Sequence, residues 1–328
     1  MDAIKRIWKR LLLATVLLAT GCASVAQIDF NALFGTSSPQ KRVENAQLNN
    51  QFVQQAEFVH KEVEPILNSR CVVCHACYDA PCQLKMTSSE GIERGASKEK
   101  VYQGTRLVAA TPNRLFVDAF TPEAWRQRGF YPMLNERNQT PEANTQASVL
   151  ARMLTLKQMH PLPEDKILDK RFDFSLDRVQ QCASLEEMDK YEQSQPFAGM
   201  PYGLPALNAN EHQVLMHWLE QGAPLPFAPS LAPEFITEIT HWEQFLNGDS
   251  LKSQLSARYI YEHLFAFHLY FESLNQPNAQ PLFFELVRSR TPPGQALDII
   301  ASRRPFDDPK VERVYYRFRP YRATIVDK

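Results

Sequence analysis

Apolar residues recur at spacings of three and four in two strong stretches of the N-terminal part of the chain, and each stretch predicts an amphipathic helix. The first helix ends at Arg70. The second covers residues 209–221, where Asn208 and Glu211 match a capping box and Gly222 supplies a stop signal. The apolar positions of the first helix are Phe52, Ala56, Val59, Val63, Ile66 and Leu67.

The chain between these two helices shows only short elements, so we interpret residues 85–195 as a long insertion. Thr121 and Pro122 mark the start of one short helix. Ser184, with Glu187 three positions later, predicts the capped start of another.

The pattern changes beyond Pro224, where helices are followed by strands. Apolar spacing predicts one helix from Phe235 to Phe245 and an aromatic-rich helix from Tyr259 to Leu274. Strand-like segments then cover Leu282 to Val287 and Val314 to Arg319. A sheet of two or three strands is marginal unless more structure covers it, so the predicted sheet looks incomplete.

The first 22 residues have the three parts of an export leader. The apolar run from Leu11 to Thr20 is much shorter than the ~20 residues of a membrane-spanning helix, so we expect it to be cleaved. Gly21-Cys22 closes a lipoprotein-like box, in which Cys22 would be lipidated; ordinary cleavage after Ala26 is the alternative. Either way, the mature chain would lie in an oxidising compartment, the periplasm. The basic leader residues are Lys5, Arg6, Lys9 and Arg10.

Composition narrows the possible functions. The 328 residues can form two domains, and 44% hydrophobic content is typical of a globular chain. With 36 Lys and Arg against 37 Asp and Glu, the chain lacks the basic excess of nucleic-acid-binding proteins. Residues 23–50 are polar without a periodic apolar face, and we interpret them as a tether.

Cys71-Val72-Val73-Cys74-His75 is the pattern for covalent attachment of a c-type haem. Thiols three positions apart on one helical turn reach the two vinyl groups of a porphyrin, and the adjacent histidine then lies beneath the iron. We therefore expect one haem c on Cys71 and Cys74, with His75 as iron ligand and the c-haem maturation machinery as a partner. A zinc site completed by another cysteine is the alternative, although such sites suit a reducing compartment better.

The second axial ligand of the iron is expected from the loop before the second helix. Met200 lies there, where many small cytochromes c place an axial methionine; alternatively it only packs against the haem edge. Met159 and His160 are weaker candidates. His263 and His268 are five positions apart and do not share a helix face, so we interpret them as structural.

Three further cysteines follow the attachment motif: Cys77, Cys82 and Cys182. An oxidising compartment favours one disulfide among them, and the sequence leaves all three pairings open. The resulting fold prediction is mainly α. It places a cytochrome c-like haem domain with the insertion at residues 51–224, and the start of an apparently truncated α+β domain at residues 225–328.

The segment Arg70–Leu84 resembles the haem motif of bacterial fatty acid cis/trans isomerases, whereas generic cytochromes c lack its second half. Members of that family are considerably longer, so we expect a C-terminal part of the catalytic region to be missing from this chain. Four further segments are similar to the family and together span nearly the whole mature chain: Gly91–Ala96, Met200–Pro205, Arg258–Phe265 and Leu286–Gly294.

This resemblance implies haem-dependent conversion of cis-unsaturated acyl chains of membrane phospholipids to trans, in the periplasm, as a response to solvents or heat. Ferric haem would withdraw an electron from the alkene, allow rotation and return the electron. Trans chains are the more stable isomer, so neither ATP nor nicotinamide is needed, and the sequence has no GxGxxG loop.

Two features could contact lipid. The aromatic run from Tyr259 to Leu274 could line an acyl-chain slot or touch the bilayer, with a buried core helix as the alternative. Four arginines could meet lipid phosphates or simply form a solvated basic face: Arg288, Arg290, Arg303 and Arg304.

A periplasmic c-type cytochrome that carries electrons is the second function compatible with the sequence. Such a carrier needs only the attachment pentad, an axial methionine and a compact fold. The extended pattern through Leu84, with its downstream partners, favours the isomerase.

Overall fold

A computed structural model describes residues 29–42, 58–76, 80–100, 113–115, 117–162, 167–168, 170–175, 180–225, 231–274, 281–302 and 304–321. The leader with Cys22, the residues Phe52 and Ala56, and also Cys77 and Arg303, lie outside these ranges. The described part of the chain is mainly helical, as predicted. None of its helices combines the length and apolar character that crossing a membrane requires.

The described residues of the N-terminal part form nine α-helices. A π-helical turn at Val59–Val63 leads into α2, and 3₁₀ turns lie at Pro81–Gln83 and Leu185–Glu187. The helices are α1 Phe30–Phe34, α2 Glu64–Arg70, α3 Val72–His75, α4 Ser89–Arg94, α5 Pro122–Gln127, α6 Pro141–Gln146, α7 Val149–Met159, α8 Met188–Ser194 and α9 Ala209–Glu220. The helices predicted to end at Arg70, to start after Thr121 and to cover 209–221 are confirmed.

Helix α9 starts at the predicted capping box. The Asn208 side chain accepts a hydrogen bond from the Glu211 amide at 2.9 Å, and the Glu211 carboxylate accepts one from the Asn208 amide at 2.9 Å. Its apolar face buries Leu215, Trp218 and Leu219. The sequence therefore fixes both the start and the buried side of this helix.

One large apolar core joins most helices of the N-terminal part, and the segment interpreted as an insertion contributes much of it. Trp125 of α5 lies in a separate small cluster with Ala119 and Phe130. Helix α7 is buried on nearly every side, from Val149 to Lys157. A helix buried all round lacks the one-sided apolar stripe that reveals helices in a sequence, which explains why α7 was not predicted.

The tether interpretation is wrong for residues 29–42. Asp29 caps the short helix α1 by accepting hydrogen bonds from the Asn31 and Ala32 amides. Phe30 and Phe34 are buried in the main core. Bonds such as those from Arg42 to the Gly222 and Ala223 carbonyls also anchor this mostly polar segment.

The C-terminal part contains α10 Pro233–Leu246, α11 Leu251–Leu264 and two strands, β1 Phe284–Ser289 and β2 Tyr315–Pro320. The strands pair antiparallel, from Phe284 opposite Pro320 to Ser289 opposite Tyr315. Both predicted strands are confirmed. The predicted helix from Tyr259 to Leu274 is wrong, because α11 ends at Leu264 and Leu269 instead bonds to the backbone of Phe284.

The predicted apolar face of α10 is also not the face that is buried. Trp242 and Phe245 are exposed, whereas Glu243 and Leu246 are buried. Glu243 faces inward because it accepts hydrogen bonds from the Arg317 side chain and the Phe318 amide, both at 2.8 Å. These bonds to β2 turn the helix away from its most apolar orientation.

Candidate functional site

The attachment motif forms a single helical turn at the end of α2. The Cys71 amide donates to the Leu67 carbonyl at 2.8 Å, and the amides of Cys74 and His75 donate to the Cys71 carbonyl at 3.1 and 3.0 Å. Neither Cys71 nor Cys74 forms a disulfide. Burial raises the pKa of the Cys71 thiol to about 12, so this thiol is protonated at neutral pH. The turn thus presents two free thiols beside one imidazole.

The imidazole of His75 is buried and oriented by a backbone carbonyl. Its Nδ1 lies 3.0 Å from the Leu84 oxygen, which can only accept, so Nδ1 carries the proton. Burial also lowers the pKa of His75, which favours the neutral ring. The lone pair is then on Nε2. A second bond, from the Met86 amide to the His75 carbonyl at 2.8 Å, holds the loop in place.

This donor set fits a c-type haem. Two free thiols supply the atoms for thioether bonds, and a neutral histidine whose other nitrogen donates to a carbonyl is the usual form of an iron-ligating imidazole. Within the described ranges, no group of three or more His, Cys, Asp or Glu residues is arranged to hold a metal ion. Of the cysteines that could complete a zinc site, Cys82 and Cys182 are bonded to each other, and Cys77 lies outside the described residues.

A disulfide closes the loop that orients His75. Cys82 is bonded to Cys182, 100 positions later in the sequence. The Cys82 amide donates to the Gln180 side chain at 3.1 Å, and its carbonyl accepts from the Ser97 amide at 2.8 Å. Of the three pairings left open by the sequence, the structure contains this one, and Cys77 lies outside the described residues.

A bidentate ion pair ties the motif to α9. Arg70 Nε and Nη2 donate to the two carboxylate oxygens of Glu211 at 3.0 and 2.8 Å. The same carboxylate caps α9, so one residue fixes both the helix start and its distance from Cys71. These hydrogen bonds from Arg70 and from the Asn208 amide lower the pKa of Glu211, with Arg70 as the larger cause.

Met200 lies in a loop packed on α7. Its amide donates to the Met153 carbonyl at 3.0 Å, and its partly buried side chain packs against the same core as Cys71. Met159 is 60% exposed, and His160 lies against the Phe197 ring. Among these candidate ligands, Met200 is therefore the one associated with the core that also contacts the attachment motif.

The remaining histidines and arginines singled out in the sequence have structural partners. His263 bonds to the Tyr259 carbonyl at 2.8 Å, and the His268 ring lies against Tyr321, so the two do not form a metal pair. Arg288 is buried and donates to the Asp307 carbonyl. Both interpretations of Arg288, a phosphate contact and a place on a solvated basic face, are therefore wrong.

Two arginines at the surface also have acidic partners. Arg290 pairs with Asp298 at 3.0 Å, and Arg304 pairs with Asp307 at 2.9 Å. Their charges are locally compensated, so the described arginines of this set do not form a basic surface available to phosphate.

Sequence reasoning missed two buried side-chain nitrogens, one on α7 and one on α9. Lys157 Nζ and His212 Nε2 are buried without hydrogen-bond partners among the described residues. Lys157 follows the apolar Leu156 on α7, and the only signal in the sequence was a cation among core-facing positions. A lone lysine in an apolar helix does not reveal by itself whether it is buried.

The downstream two thirds of the chain carry a match to a known family. A family model for fatty acid cis/trans isomerase (CTI) matches residues 110–328. The chain belongs to the fatty acid cis/trans isomerase family. No curated protein and no solved structure matches it.

Membership of the fatty acid cis/trans isomerase family makes isomerisation of fatty acid double bonds the general activity of the chain. The matched residues include Met200 and all of α10, α11, β1 and β2. The attachment turn lies upstream of the matched residues, so its role is argued from its own geometry.

Proposed function

We propose that this isomerase acts on cis-unsaturated acyl chains of membrane phospholipids and uses one c-type haem bound by Cys71, Cys74 and His75. The observation that carries the proposal is the helical turn that joins two free thiols to an imidazole with its proton fixed on Nδ1. This arrangement leaves Nε2 as the metal-binding atom.

The haem, when bound, supplies an iron that can withdraw an electron from an alkene and accept its return, which weakens the double bond without net redox change. The protein contributes position. Cys71 and Cys74 fix the porphyrin covalently, and the Leu84 carbonyl holds the His75 ring in one orientation. Met200 would supply a thioether as the second iron ligand, from a loop that is bonded to Met153 and packed on the main core.

The phospholipid part of the proposal is supported by an exposed apolar row on α11. Leu251, Leu255 and Tyr259 are 86%, 70% and 62% exposed and recur every four positions, so they share one helix face. Phe267 and Tyr270 extend the exposed apolar surface beyond the helix. Such a face favours contact with the interfacial region of a bilayer.

The periplasm is the proposed location, with lipid anchoring through Cys22 as an option of the leader. Two observations agree with an oxidising compartment: the Cys82–Cys182 disulfide and the leader-like N-terminus. The c-haem maturation machinery is then a required partner.

The test is co-expression of the chain with a c-haem maturation system, followed by haem staining of a denaturing gel and gas chromatography of membrane acyl chains. The unaltered chain should stain and raise the fraction of trans acyl chains. The double variant Cys71→Ser/Cys74→Ser should lose the stain, whereas His75→Gln should lose activity and shift the absorption spectrum. His217→Gln, which changes an exposed histidine of α9, is the matched control and should change neither.

Two results would contradict the proposal in different ways. A chain that never stains would remove the haem. A chain that stains but leaves the trans fraction unchanged, beside a positive result from a longer family member, would favour the electron carrier.

A further inference from the structure

Lys157 is a buried cation without a counter-charge in the described part of the chain. Its side chain is 1% exposed, and Nζ has no hydrogen-bond partner there. Arg94 and Arg288 also leave one nitrogen unpaired, but each binds a backbone carbonyl through another guanidinium nitrogen. For Lys157 the whole charged group is unpaired. Burying such a group is costly unless an anion compensates it.

The carboxylates on the neighbouring helix α8 are already used. Arg152, five positions before Lys157 on α7, binds Asp189 at 2.6 Å and Glu192 at 2.7 Å. The described structure therefore pairs one cation of α7 completely and leaves the next one without an acidic side chain.

Lys157 lies directly beneath the loop that carries Met200. A Cβ atom added to Gly199 would come within 2.4 Å of the Lys157 backbone nitrogen, so the loop backbone contacts the helix at this residue. The Met200 amide bonds to Met153, which precedes Lys157 by one turn on the same helix face. Helical side chains lean toward the helix N-terminus, so the lysine extends along the face that holds Met200.

We propose that the Lys157 ammonium binds a carboxylate of the covalently attached haem. The inference rests on the proposed haem, which keeps two carboxylates after its vinyl groups have reacted with Cys71 and Cys74. A carboxylate is the group that a buried ammonium needs, and a charge-assisted hydrogen bond between them is strong. Desolvation lowers the pKa of Lys157, and an anion at Nζ would oppose that effect. The pair fixes the porphyrin edge next to the Met200 loop.

The experiment compares the matured holoprotein with Lys157→Met, which removes the charge at similar side-chain volume, and with Lys157→Arg, which keeps it. The ferric-to-ferrous ratio is measured spectroscopically at a fixed applied potential and pH 7. Loss of a positive charge near the iron should raise that ratio about tenfold in Lys157→Met. The unpaired carboxylate should also make the ratio of this variant depend more steeply on pH. Lys190→Met on the exposed side of α8 is the control and should match the unaltered protein.

The result separates the Lys157 inference from the proposed function. An unchanged ratio in Lys157→Met with haem attached would overturn the inference and leave the proposed function intact. A lysine-ligated iron signature in the unaltered protein that disappears in that variant would overturn it as well, since the lysine would then bind iron. A colourless unaltered protein would instead contradict the proposed function.

If Lys157→Met does not attach haem, a second measurement tests the inference without this variant. The bending bands of the haem carboxylates in the resonance Raman spectrum should differ between the unaltered protein and Lys157→Arg, because the bonded donor changes. Identical bands would overturn the inference.

Discussion

The N-terminal and C-terminal parts of the chain are stabilised in different ways. The first has one large apolar core that includes the fully buried Val63, Met188 and Trp218, and it is cross-linked by a disulfide. The second has a smaller core, and both parts bury charged pairs: Arg126 with Glu136 in the first and Arg317 with Glu243 in the second. The core residues of the second part are Leu246, Ala257, Tyr261, Leu286 and Tyr316.

Charged pairs also set the geometry of the C-terminal part. Glu285 and Arg319 are direct cross-strand partners and form an ion pair, while Glu243 on α10 binds Arg317 of β2. A small core alone specifies strand register weakly, because apolar contacts are not directional. In the C-terminal part, directional charged pairs therefore add specificity to a small apolar core.

Removing the disulfide should give the largest loss of stability. The double variant Cys82→Ala/Cys182→Ala opens a loop of 100 positions, and we expect the free energy of unfolding to fall by about 4 kcal/mol. Urea denaturation without reductant measures the loss. Backbone amides of residues 80–225 should exchange hydrogen faster, whereas those of residues 231–321 should exchange at unchanged rates. An equal loss of protection in both parts would show that they are not stabilised separately.

Removing the Glu243 carboxylate should destabilise the C-terminal part by about 3 kcal/mol, because Arg317 is left buried without its partner. Hydrogen exchange of β2 in Glu243→Ala measures the effect. The matched control is Glu262→Ala, which removes an exposed pair with Arg258 on α11 and should cost about 0.5 kcal/mol. Similar losses in the two variants would show that burial of the pair does not matter.

Glu211→Gln tests the charged contact of the N-terminal part and should cost about 2 kcal/mol at neutral pH, since bonds to charged groups are lost. The folded-state pKa of Glu211 is lowered, so its stabilisation is present above the ordinary carboxyl pKa and is lost as pH falls through the lowered value. Unfolding free energy measured across that acidic window should vary less with pH in Glu211→Gln than in the unaltered protein. Parallel pH curves would exclude this linkage.

Helix capping should have the smallest effect and should be equal in the two parts. Asn208→Ala at the start of α9 and Ser250→Ala at the start of α11 should each cost about 1 kcal/mol, because each loses a side-chain acceptor for a backbone amide. Asn208→Ser keeps an acceptor and is the control. A much larger loss at only one of the two caps would mean that helix ends contribute to the difference between the parts.

Elements with a local chemical signal could be predicted from the sequence. The capping residues of α9, the strands β1 and β2 and the attachment turn follow from short-range patterns, and their positions in the structure agree with those patterns. Helix α7 was missed because burial on all sides removes periodicity. The orientation of α10 was missed because Glu243 is buried by contacts with β2, which lies about seventy positions later.

The candidate site likewise combines features that the sequence predicts with contacts that it does not. The spacing of Cys71, Cys74 and His75 is local and predicted the shared turn. The Leu84 carbonyl at Nδ1 and the bond from Arg70 to Glu211 depend on tertiary packing. Lys157 could not be singled out, because only the position of the Met200 loop shows that its ammonium is enclosed.

The cysteines of the described structure have two different fates within a short stretch of chain. Cys82 is oxidised to a disulfide, whereas Cys74, eight positions earlier, has a free thiol. In the proposed periplasmic location, an oxidant that acted on both without discrimination could join the wrong pair. Biogenesis of the proposed holoprotein therefore requires an order of events in which a reductant protects Cys71 and Cys74 until the porphyrin has been ligated, and strains defective in that thiol-protecting step should accumulate mispaired apoprotein.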